Sequence, residues 1–169
     1  AQLEAFLLTL YQVRGGNIAK CAPTSTPKIV NSKLRLEQML ENRLNAGRWS
    51  GSYGYMVRLG RAAVMFFSAE ESSNVVGATA HLLLEVDEAQ DVGAEKYAKE
   101  FRPMGATTNV TAVLYGTPWT PDTLLHEQIE TNLAPTPVAS TTTFRQPHTF
   151  LRMSSIPANC SRCVRPVHQ

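Results

Sequence analysis

No acidic residue follows Glu130. The last 39 residues hold Arg145, Arg152, Arg162 and Arg165 but no lysine, aspartate or glutamate, a net +4, whereas residues 1–130 hold 12 basic and 14 acidic side chains, a net −2. The overall +2 of the 169-residue chain therefore conceals two unlike segments. An acid-free tail excludes a carboxylate-built two-metal centre beyond that point. Long hydrophobic runs are missing as well: none approaches the roughly 18 apolar residues of a membrane span, so no membrane partner is expected. Cysteine is scarce. Cys21, Cys160 and Cys163 are odd in number and show no framework spacing, which favours a reducing compartment. The opening residues carry Glu4 and no basic cluster, unlike a secretory signal. Also absent is the phosphate-cradling loop GxxxxGK[ST]; Gly15-Gly16 followed by Lys20 has the wrong spacing.

What is present suits one domain with a real core: 43% hydrophobic and 18% charged residues are ordinary globular values. Composition places the domain at residues 1–132. Residues 133–169, rich in Ser, Thr, Pro and Arg, read as a tail that is loose or only partly ordered. Within the domain, apolar spacing predicts a helix over 1–13, stopped by Gly15-Gly16. A buried strand follows over 17–22. A long helix over 26–44 has Thr26 as cap and Pro27 in its first turn. Residues 47–54 read as a turn-rich loop, and 55–59 with 62–68 as a hairpin around Gly60-Arg61. A strand over 82–87, a helix over 94–101, a strand over 111–115 and a helix over 122–131 complete the order. Alternating elements with long crossovers predict an α/β fold in which the strands at 17–22, 82–87 and 111–115 run parallel.

The stretch HLLLEVDEAQD, residues 81–91, concentrates the chemistry. Its apolar run fits a strand buried on both faces, and such a strand delivers its carboxyl end to the sheet edge where α/β folds bind ligands. Two adjacent carboxylates there, Asp87 and Glu88, are costly to desolvate without a positive partner. In nucleotide hydrolases that partner is Mg²⁺ with the phosphates of ATP, one acid holding the metal and the other orienting the attacking water. The bland counterpart is a pair of solvated acids at a helix start, stabilised by its dipole. Gln90 and Asp91 read as helix-capping residues and Glu85 as a paired core acid or a strand-rim acid. Arg48, Arg58 and Arg61 read as surface charges, and Tyr53, Tyr55, Phe66 and Phe67 as hairpin and core packing. The Cys160-x-x-Cys163 pair with His148 and His168 fits no standard zinc spacing.

Residues 1–132 resemble the ATPase domain of the large terminase subunit of tailed bacteriophages, the motor that packages DNA into capsids. The resemblance rests on GGNIAKCAPTSTPKIVNSKLRLEQML, on residues 65–80, on LLLEVDEAQDV as a Walker B strand, and on FRPMGATTNVTAVLYGTPW with its Gly-Thr coupling motif. It implies a RecA-like P-loop NTPase core, a mostly parallel sheet flanked by helices, here lacking the first strand and the phosphate loop. It implies Asp87 as the Mg²⁺ ligand and, with Gly116, as part of the ATP site, Glu88 as the catalytic residue that polarises water, and Thr117 as the sensor of the γ-phosphate. The partners it implies are double-stranded DNA, the small terminase subunit and the portal. Loss of the first strand is expected to leave unpaired edges beside the Walker B strand and to favour a homo-oligomer. The family's nuclease domain has no counterpart here. The expectation is a terminase fragment, from a phage or degraded prophage gene, that is inactive by itself. The alternative is a non-catalytic remnant or interaction domain with an α/β core.

Overall fold

A computed structural model describes residues 1–73, 75, 77–133 and 150–153. The chain opens with helix α1 (Gln2–Tyr11), whose Leu8 is buried and whose end is followed by Gly15 at φ +89° and Gly16 at φ +135°. Strand β1 (Gly16–Ala22) follows, then helix α2 (Val30–Leu40). Next come three antiparallel strands, β2 (Trp49–Ser52), β3 (Met56–Leu59) and β4 (Ala62–Ser68). Strand β5 (Leu83–Val86) leads into helical turns α3 (Ala94–Lys96) and α4 (Arg102–Ala106), joined by a wide helical turn at Tyr97–Phe101. Strand β6 (Ala112–Tyr115), helix α5 (Leu124–Leu133) and strand β7 (Phe150–Met153) complete the described chain.

The strands form one sheet in the order β2-β3-β4-β1-β5-β6-β7. Its middle is parallel, with β1 between β4 and β5, and β6 beyond β5. The expected α/β class and the parallel run of the three named strands are therefore observed. Period-two alternation divides the side chains between two cores. Ile18, Val64, Leu83 and Val113 pack on one face against Leu8 of α1 and Leu36 and Leu40 of α2. Cys21, Leu84, Val86 and Leu114 pack on the other against Tyr97, Phe101, Met104, Leu124 and Leu125. Among the described residues no helix is long and apolar enough to cross a membrane.

Three sequence expectations need correction. Residues 47–54 are not all loop: Trp49–Ser52 pair with β3, and Trp49 packs against the core under α1 and α2. Cross-strand pairing and one half-buried indole outweigh the weak strand preference of Gly and Ser. The helix expected over 26–44 ends early: a helical turn at Ser25–Ile29 leads into α2, which stops at Leu40. Thr26 is extended at φ −126° and ψ 128°, as a residue before proline is steered to be, and the Thr26-Pro27 peptide is cis. At the far end Asn42 Oδ1 accepts from the Leu44 and Asn45 amides, so a local side-chain turn replaces the helix. Finally, β5 has no unpaired edge, because β1 and β6 flank it and β7 lines the outer side of β6. Phe150–Met153 fall within the segment read as a tail; Cys160, Cys163, His148 and His168 lie outside the described residues.

Candidate functional site

Strands β1, β5 and β6 end at one edge of the sheet, and the residues just past those ends meet there. In the β1–β5 register Lys20 lies directly opposite Glu85. Alternation turns both side chains toward α1, which contributes Glu4. Lys20 Nζ is 2.7 Å from Glu4 Oε1, 3.4 Å from Glu85 Oε2 and 3.9 Å from Asp87 Oδ2. The Tyr115 hydroxyl donates to Glu85 Oε1 at 3.2 Å, and Lys20 Nζ sits 6.0 Å from the Tyr115 ring centroid. Glu85 is 1% exposed and Glu4 2%, so the network is built into the core. Around it opens a cleft of about 370 Å³ whose walls include Leu3, Glu4, Lys20, Glu85, Asp87 and Tyr115.

The Lys20 ammonium lies between two buried carboxylates, and Glu4 has a second cation, the Ala1 amino group, 2.6 Å from its Oε2, so the two acids are not neutralised equally. Burial alone would raise the Glu4 carboxyl, but the charges and hydrogen bonds of Lys20 and of the Ala1 amino group outweigh it and hold Glu4 at about 2. Burial pushes Glu85 up to about 7, with the Glu4 charge adding to the rise and Lys20 opposing it. Burial would lower the Lys20 ammonium; Glu85 and Glu4 instead raise it above its ordinary value. Burial also raises the Cys21 thiol and the Tyr115 hydroxyl, with the charges of Asp87 and Glu85 respectively adding to the effect.

The expected acid pair is only partly buried. The Asp87 side chain is 39% exposed and that of Glu88 40%. The Asp87 amide donates to the Cys21 carbonyl at 2.8 Å, which fixes where β5 stops. Glu88 adopts left-handed φ 50° and ψ 50°, an uncommon conformation for a residue with a Cβ. Its carboxylate is paired with Lys28, whose Nζ also lies 3.7 Å from Asp91 Oδ2. The turn at Ala89–Asp91 then carries Gln90 toward β6, where Gln90 Oε1 accepts from the Thr117 amide at 3.3 Å. Gly116 makes this approach possible. A Cβ there would lie 2.1 Å from Gln90 Oε1, 3.0 Å from Leu125 Cδ2 and 3.3 Å from the Ala89 nitrogen.

Asp87, Glu88, Gly116 and Thr117 are therefore gathered at the ends of adjacent strands. Glu85 is a paired core acid, one of the two readings its place in the strand left open. Gln90 serves as the link to Thr117 rather than as a cap. Sequence reasoning missed Lys20 and Lys28 as partners of the acids, and Tyr115 as a partner of Glu85. The one available signal was that Lys20 is a lone charge in an apolar strand, which requires a buried counter-ion.

Asp87, Glu88 and Asp91 offer only oxygen donors, and their carboxylates with Glu4 outnumber Lys20 and Lys28. That donor chemistry suits a hard cation such as Mg²⁺, which is commonly held by one or two carboxylates with substrate phosphates completing its shell. Among the described residues no cluster of three or more His, Cys, Asp or Glu side chains is arranged to hold a metal unaided. No protein-family model, curated protein or solved structure matches the chain.

Proposed function

We propose that residues 1–132 carry the Walker B and coupling half of a terminase-type ATPase site, from a phage or prophage protein whose ATP hydrolysis drives DNA packaging. The observation that supports this most is the Gln90–Thr117 bond. It joins the Asp87-Glu88 turn to the Gly116-Thr117 turn across adjacent parallel strands, at the edge where α/β sheets bind nucleotides.

In this reading Asp87 is the residue that would hold Mg²⁺, and Glu88 orients the attacking water. The bound metal supplies neutralisation of charge on the phosphate oxygens. Glu88 is paired with Lys28, so it must leave that pair before it can take a proton from water. A displacement of the 88–91 turn passes through Gln90 to the Thr117 amide and, by the packing of Leu125 against Gly116, to the start of α5. Coupling of hydrolysis to movement follows that route.

A second reading has its own observation. The sequence contains no GxxxxGK[ST], and the Lys28 pair engages the one carboxylate placed to activate water. Both suit a non-catalytic α/β interaction domain. The gene discriminates between the two. The ATPase reading expects codons for a Gly-Lys-Ser/Thr loop shortly upstream of Ala1, and a stop codon or unrelated sequence there favours the interaction domain.

A further inference from the structure

The opposite edge of the parallel strands holds a second built feature. Three chain segments converge there: the α1–β1 loop with Arg14, the β3–β4 turn with Arg61, and the entry to β5 with His81. Backbone hydrogen bonds tie them together. The Arg61 amide donates to the Gln12 carbonyl at 2.8 Å, and the His81 and Leu82 amides both donate to the Asn17 carbonyl, at 2.8 and 3.0 Å. Glycine permits the close approach. A Cβ on Gly60 would lie 2.4 Å from the Gln12 oxygen, one on Gly16 would lie 2.8 Å from the Leu82 side chain, and one on Gly15 would lie 3.2 Å from Arg61 Cβ. The two arginine-bearing loops are thus held backbone to backbone.

Between them lies a cleft of about 580 Å³ whose walls include Tyr11, Arg14, Asn17, Arg61 and His81, and among the described residues no carboxylate lines it. Neither guanidinium has a carboxylate partner among the described residues. Arg14 and Arg61 line one cleft, so their like charges repel, and an anion between them removes that cost. Guanidinium forks match the oxygens of phosphate bidentately. Asn17, His81 and Tyr11 add further donors, more than a two-oxygen carboxylate can use.

We propose that this cleft is a binding site for the phosphate groups of a phosphate-bearing ligand, either a polyphosphate or a nucleic-acid backbone. The site is independent of the ATPase reading, since it lies at the far edge of the sheet from Asp87 and Glu88.

The test measures binding of tripolyphosphate and of a short DNA duplex to the full chain at low salt. Unaltered chain is compared with Arg14→Gln, Arg61→Gln, the double variant, and Arg35→Gln on the exposed side of α2 as control. The site requires a loss of roughly tenfold for each cleft arginine removed, with Arg35→Gln close to the unaltered chain. If the duplex is the ligand, the slope of log affinity against log salt falls by about 1.8 in the double variant, the share of two phosphate contacts. If only tripolyphosphate affinity responds to the two arginines, the ligand is a small polyphosphate. In the unaltered chain, titration with tripolyphosphate should shift the amide resonances of Gly15, Gly16 and Asn17, a readout that survives any variant that fails to fold. Absence of binding by both probes, equal losses in Arg35→Gln, or amide shifts confined to residues 87–91 would overturn the assignment.

Discussion

Lys20 is the residue on which the carboxyl edge of the sheet depends. It is buried among Glu4, Glu85 and Asp87, and removing it leaves Glu85 without a cation and Glu4 with the Ala1 amino group alone. Lys20→Met should therefore cost roughly 3–5 kcal/mol, the usual penalty for breaking a buried pair from one side. Glu85 behaves in the opposite sense. Its folded value of about 7 lies above its ordinary 4.5, so between those values the folded chain keeps a proton that the unfolded chain has lost. Stability from this group consequently falls as pH rises through that window. Glu4, held at about 2, gives stability that is present above its ordinary 4.5 and lost as pH falls toward 2. Urea unfolding at pH 5 and pH 8 checks this: Glu85→Gln should flatten the decline and raise stability at pH 8 by roughly 1–3 kcal/mol. An unchanged pH slope in that variant would show that Glu85 is ionised throughout. The acids of this site were legible in the sequence because DE at the end of an apolar run is a local signal. Their lysines were not, because pairing of Lys20 with Glu4 and Glu85 depends on register between strands and on the seating of α1.

At the scale of elements, the β5–β6 connection turns on Gly116. A side chain there meets Gln90 and also the Ala89 nitrogen, which cannot swing away. Gly116→Ala should cost about 1–3 kcal/mol by overpacking, and adding Gln90→Ala should recover part of that loss by removing the nearest contact. Strict additivity of the two changes, measured by thermal unfolding, would argue that the turns are not in contact. The order of the elements was readable because helix and strand periods differ sharply over residues 1–22, 30–40, 62–68 and 83–115. The misreadings share a cause. Strand β2 is made by pairing with β3 and by one indole packed inward, and α2 is cut short by an asparagine turn. Such partners lie across the sheet or in local side-chain bonds, not in the apolar pattern.

At the scale of the whole molecule, the parallel strands present opposite chemistry at their two ends. The carboxyl edge gathers Glu4, Glu85, Asp87, Glu88 and Asp91 around two lysines; the amino edge gathers Arg14, Arg61 and His81. Helix packing on both faces makes the sheet one rigid layer between them. The central claim is that the carboxyl edge is half of an ATPase site, with Glu88 its water-orienting residue. The direct measurement is ATP turnover by this chain and by the gene product extended upstream to include a phosphate loop, each with and without Glu88→Gln. The account predicts background turnover from the 169 residues alone, turnover from the extended protein, and its loss in Glu88→Gln with nucleotide still bound. Turnover by the extended protein that is indifferent to Glu88→Gln would contradict it.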